Sequence, residues 1–192
     1  MSIGIKAKWI ITHDGIANRL LRDGVVVIED QRIEYVGKKY NDKVDQWIEA
    51  PTHVVTAGFI CTHTHASTAP KDKSFTDDTG APSLYMSSLG ENATALLKSL
   101  KPEDYHVFAK YSMAELIRSG CTTMLEMGMV NNLGAETTVK YIDEMGIRAV
   151  EGPEISDGSW TRHQQANFMT AWSEPEIGLK QLDEARARSF KI

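Results

Sequence analysis

Two histidines one residue apart, His63 and His65, close the segment GFICTHTH at residues 58–65. In a β-strand alternate side chains share a face, so both imidazoles project one way and Thr62 and Thr64 the other. Two imidazoles side by side on a rigid strand can each give a nitrogen lone pair to one divalent cation. The same pair can equally be polar residues at a strand end, hydrogen-bonded to their neighbours. A metal site needs further ligands, and the other candidates are weaker. SDGSWTRH at residues 156–163 reads as a polar loop with one aromatic, which makes Trp160, Arg162 and His163 candidate substrate contacts. Glu126 ends an apolar run and either faces the same mouth or serves as a cap or ion-pair partner. His13 and His53 belong to the β-rich opening, and His106 is expected on the solvated face of a helix. Asp77 and Asp78 read as a solvated loop pair, and Met124, Met127 and Met129 as core filling. Cys61 and Cys121 are expected as free buried thiols, since no nearby base would activate either one.

The elements that must position these groups change character near residue 57. Before it, short β-rich runs at 3–12, 25–29, 32–36 and 53–56 alternate with turn signals at Asp14-Gly15, Asp23-Gly24 and Asp30-Gln31. This predicts a small antiparallel β unit over 1–56, with the HxH segment ending a buried strand. From 57 to 192 the pattern is strand, helix, strand, helix. Pro102 with Glu103 and Asp104 opens a helix, Val107, Phe108, Tyr111, Ala114 and Ile117 recur at helical spacing, and Gly120 closes it. A strand at 121–127, a helix at 134–145 closed by Gly146, a strand at 147–150 and a third helix at 174–190 follow. Serial βα units imply parallel strands joined by right-handed crossovers. The connection at 66–101, with a short helix expected near 92–100, is far longer than ordinary loops of this kind. Long loops at the carboxyl ends of parallel strands are where barrel enzymes build substrate pockets.

Bulk properties exclude several classes. A net charge of -5 and a pI near 5.7 argue against a nucleic-acid partner or an anionic membrane surface. No segment approaches the ~18 apolar residues of a membrane span, and the N-terminus lacks a signal-peptide pattern, so a cytoplasmic location is expected.

Taken together, the motifs resemble the amidohydrolase superfamily of metal-dependent hydrolases. DGVVVIEDQRIEYVGK at 23–38 is similar to that family's small N-terminal domain, and VVTAGFICTHTH at 54–65 to its first barrel strand with the HxH pair. SGCTTMLEMG at 119–128 and MGIRAVEGPEI at 145–155 resemble its second and third strands. The cytosine deaminase, guanine deaminase and triazine chlorohydrolase branch is the most similar. Ala57 and Cys61 depart from the family pattern, which has proline and an aspartate or asparagine at those places.

The resemblance implies an α/β fold: the first three βα units of a TIM (β/α)8 barrel, preceded by part of a small antiparallel β-sandwich. It implies that His63 and His65 hold one divalent metal ion, zinc in the first instance, with iron, manganese or cobalt as alternatives. The implied chemistry is attack of a metal-activated hydroxide on a C–N or C–Cl centre of a small molecule. Deamination of a nitrogen heterocycle, or hydrolysis of an amide, urea or carbamate, would follow. A complete barrel needs ~250 residues, and no histidine follows His163. The implied partners are therefore the remaining barrel residues or a complementing chain, and a homo-oligomer. The 192 residues alone are expected to be inactive. The rival readings are a non-catalytic partial-barrel interaction or binding module, and an open α/β binding protein, which the lack of a glycine-rich phosphate loop disfavours.

Overall fold

In the computed structural model the described residues are 1–72, 99–152, 158–163 and 166–172, with positions 176, 179, 180 and 183. They divide into two compact units, Met1–Gly58 and Phe59–Ile192.

The first unit is a four-stranded sheet of β1 (Ser2–His13), β2 (Asn18–Glu29), β3 (Arg32–Gly37) and β4 (Gln46–Val55), in the order β3-β2-β1-β4. Inward-facing apolar residues build its core, with Ala7, Ile10, Val26 and Ala50 buried and Ile5, Leu21, Ile28, Val36 and Val55 packed against them. Two features differ from the expected antiparallel unit. β4 starts seven residues before the anticipated run and pairs with β1 in parallel, so the sheet is mixed. The connection at 38–45 carries the chain past β2 to the far side of β1, and that crossing sets the direction of β4. Asp23-Gly24 is not a turn but lies within β2: Gly24 pairs with Ala7, while Asp23 is left out of the ladder, takes a left-handed φ of 51° and accepts from Lys8 Nζ at 2.9 Å. The other two turn signals do mark connections, between β1 and β2 and between β2 and β3.

The second unit has an α/β arrangement. Three parallel strands, β5 (Phe59–Thr64), β6 (Cys121–Met127) and β7 (Arg148–Gly152), form one sheet in that order. Between them run α1 (Ala69–Asp72), α2 (Pro102–Arg118), α3 (Met129–Leu133) and α4 (Ala135–Met145). Helix α2 starts where its sequence says: Pro102 has no N–H to leave unpaired, and the Asp104 carboxylate accepts the Lys101 N–H at 2.7 Å. Helix α4 ends at Gly146, whose φ of 68° is costly for residues with a Cβ. Sheet and helices close on Ala66, Ala109, Met113, Met124, Met129 and Ile147, all buried, which bears out Met124 and Met129 as core residues. Strand β5 is not a buried strand among the described residues: it is an edge strand, with Phe59 60% and Ile60 66% exposed.

Residues 158–163 also depart from expectation. They form β8 (Gly158–His163), paired antiparallel with β9 (Ala166–Trp172), so the anticipated polar loop is one arm of a hairpin. The expected helix near 92–100 lies almost wholly outside the described residues, as does most of the one at 174–190. No described helix is long and apolar enough to cross a membrane.

Candidate metal half-site

A β-bulge aims the histidine pair. Cys61 lies opposite Met124 and Thr64 opposite Glu126, so three steps along β5 match two along β6. Cys61 packs into the core with Met124, on the face covered by α2. Regular alternation would turn His63 and His65 to that same face. The extra residue reverses the parity: Thr64 takes the α2 side, lining a cavity with Ser112 and Leu116, and both histidines take the opposite face.

Their rings meet edge to face, with centroids 5.0 Å apart, and the two Nε2 atoms lie 3.2 Å from each other. His65 Nδ1 is 2.8 Å from the Met127 carbonyl oxygen, which can only accept. Nδ1 therefore carries the proton, and the Nε2 lone pair of His65 is turned towards His63. The gap between the two Nε2 atoms can be closed by a proton donated from His63 or by a cation. Two nitrogens each about 2.1 Å from one ion stand roughly 3.0–3.4 Å apart at octahedral to tetrahedral angles, so the observed separation fits a shared ligand role. A backbone carbonyl on the distal nitrogen is a usual orienting partner of a metal-binding histidine. No group of three or more His, Cys, Asp or Glu side chains that could hold a metal ion occurs among the described residues.

The turn after the pair is held from several sides. The His65 carbonyl accepts the N–H groups of Thr68 at 3.0 Å and Ala69 at 2.8 Å. Ala66 donates its N–H to Glu126 Oε1 at 2.9 Å and accepts from Ser112 Oγ at 2.9 Å. Ser67, also buried, accepts from Asn132 Nδ2 at 2.8 Å. Glu126 is fully buried, and its second oxygen accepts the Met129 N–H at 2.8 Å. Facing it on β7, in register, is Glu151, whose carboxyl oxygens are buried without a hydrogen-bond partner among the described residues. Burial raises the pKa of Glu126, opposed by the N–H of Met129, by Glu151 and by the N–H of Ala66. Burial first, and then the charge of Glu126, push Glu151 up to about 9, so Glu151 keeps its proton at neutral pH.

This placement does not favour the substrate contact expected of Glu126. Its side chain lies on the helix-covered face with Met124, and both oxygens are occupied by backbone N–H groups. Trp160, Arg162 and His163 share strand β8, and their side chains lie outside the described residues. His106 is half-buried rather than solvated, with Nδ1 2.8 Å from the Tyr141 hydroxyl. Cys61 and Cys121 are free and half-buried. Ser112, Asn132 and Glu151 were not anticipated as supports of the pair. What the sequence did show is a glutamate near the end of each of two successive strands, in LEMG and AVEG, though not that the two face each other.

A β-rich unit, a parallel α/β unit and a histidine pair at the mouth of its first strand are the features to set against known families. A model of the Amidohydrolase family matches residues 54–187, and the chain belongs to that family. A 5'-deoxyadenosine deaminase of Methanosarcina acetivorans is 30% identical over 146 residues, 76% of this chain and 31% of that protein. A 5-methylthioadenosine/S-adenosylhomocysteine deaminase of Halothermothrix orenii is 26% identical over 185 residues, 90% of this chain and 40% of its own length. The solved atrazine chlorohydrolase of Arthrobacter aurescens TC1, complexed with zinc, superposes with a TM-score of 0.69 at 18% identity, covering 98% of this chain and 43% of that one. At that identity the likeness shows the fold alone. The chain spans less than half the length of these relatives.

Proposed function

We propose that this chain is the amino-terminal part of a metal-dependent hydrolase, and that His63 and His65 are two ligands of its divalent cation. The observation that carries the reading is the pair of Nε2 atoms 3.2 Å apart, one of them fixed as a lone-pair donor by the Met127 carbonyl. Zinc suits an imidazole site, and a solved relative of the fold is described with zinc. Such a cation, when bound, supplies Lewis acidity and lowers the pKa of a water towards neutrality.

The residues of this chain bind and orient. His63 and His65 present lone pairs from a strand end, and Met127 keeps the His65 tautomer. The remaining ligands and the group that moves the proton belong to residues beyond the described ones. Completion of the three-stranded parallel sheet into a (β/α)8 barrel would bring them to the same carboxyl ends.

The relatives' names support a substrate class. Two are deaminases of adenine nucleosides and one removes chloride from a triazine. Each attacks a ring carbon of a nitrogen heterocycle carrying a leaving group, and we assign this chain's protein to that class. Trp160, Arg162 and His163 on β8 remain the proposed substrate contacts from this chain. The test is metal analysis and turnover of the complete protein against its His63→Ala variant. About one equivalent of divalent cation is expected in the parent, with most of it and at least a hundredfold of kcat/KM lost in the variant. Full occupancy and full activity in His63→Ala would sink the proposal.

A further inference from the structure

One carboxylate ties together the two loops that meet at the histidine pair. Glu126 Oε1 accepts the N–H of Ala66, the residue after His65, and Oε2 accepts the N–H of Met129, two residues beyond Met127. Between those anchors runs the 2.8 Å bond from His65 Nδ1 to the Met127 carbonyl. We propose that Glu126 is the positioning residue of the half-site, holding both ends of the His65–Met127 bond so that His63 and His65 are arranged before a cation arrives. This rests on the metal reading above and adds to it a residue that touches neither the cation nor the substrate.

The chemistry selects a carboxylate. Two backbone N–H groups converge on Glu126 in a site closed to water, and each needs an acceptor. An ionised carboxyl offers one oxygen to each and no donor to collide with either. Glutamine has the same shape but sets an amide NH2 against one of the two donors. One loop would then move, either at Ala66, shifting the His65 backbone, or at Met129, shifting the Met127 carbonyl. Either shift loosens the Nδ1 bond that fixes which nitrogen of His65 is free to ligate. Ser112 on the Ala66 carbonyl leaves that residue no slack on its other side. Gly128 completes the device: its φ of 100° turns the chain sharply after β6, so the Met129 N–H points back at Glu126.

The experiment uses the complete protein, stripped of metal and titrated with zinc against a competing chelator. Glu126→Gln is expected to weaken zinc binding by about 10–100-fold, the usual cost of losing an outer-shell partner. Met113→Ala, which empties part of the same core, is the control: it lowers the Tm and leaves zinc affinity at the parental value. Hydrogen exchange of the metal-free parent is the second readout, and it stands even if Glu126→Gln does not fold. The amides of Ala66 and Met129 should be protected before zinc is added. A folded Glu126→Gln protein that binds zinc within twofold of the parent overturns the proposal. So do amides that exchange freely without zinc and become protected only with it. Zinc retained in His63→Ala would instead overturn the metal reading, which separates the two failures.

Discussion

At the scale of single residues, the acid pair Glu126 and Glu151 makes the most specific demand on the fold. Glu151 has no hydrogen-bond partner among the described residues and faces a carboxyl already engaged by two N–H groups. Its folded pKa of about 9 lies above the 4.5 of a free side chain, so the folded state binds the proton more tightly than the unfolded chain does. The stability from this proton is complete below about pH 4.5 and is lost as the pH rises through about 9. Glu151→Gln cannot ionise. It is predicted to flatten the fall in Tm between pH 5 and 9, and at pH 9 to melt roughly 3 °C or more above the parent. Parallel Tm curves for the two proteins would contradict a buried, protonated Glu151. The histidine pair was visible in the sequence because its two-residue spacing is local. The Glu126–Glu151 pairing was not, because it depends on the register of two strands separated by helices α3 and α4.

At the scale of elements, local signals and long-range pairing part company in the same way. Strand β6 at Cys121–Met127 and the helix starting at Pro102 were legible, because β-branched runs, a proline and a first-turn acid act within a few residues. The parallel pairing of β4 with β1, and the bulge between Cys61 and Thr64, were not, because both are properties of two strands at once. The bulge matters most: simple alternation gave His63 and His65 a common face but could not say which face of the sheet. The turn after β6 is a second such device. Gly128→Ala puts a Cβ on a residue with φ of 100° and is predicted to cost about 1–2 kcal/mol in chemical denaturation. Because the same turn aims Met129 at Glu126, the variant should also bind zinc more weakly. Unchanged stability and affinity would mean that the turn relaxes without disturbing the half-site.

At the scale of the whole molecule, the parallel sheet is open at both edges among the described residues. β5 and β7 each pair only with β6, and Phe59, Ile60 and Val150 stand 60%, 66% and 60% exposed. Apolar side chains on an unpaired strand favour association with more sheet. The relatives extend well beyond the part this chain matches, which is 31%, 40% and 43% of their own lengths. The proposal that the sheet is the first part of a barrel predicts that further ligands reach the face carrying His63 and His65. The most direct test is anomalous diffraction at the zinc edge from crystals of the complete protein grown with zinc. One peak is expected at bonding distance, about 2.1 Å, from the Nε2 atoms of both His63 and His65, with His65 Nδ1 still on the Met127 carbonyl. A peak bound through Nδ1, a peak elsewhere in the protein, or a histidine pair joined only by its own hydrogen bond would contradict it.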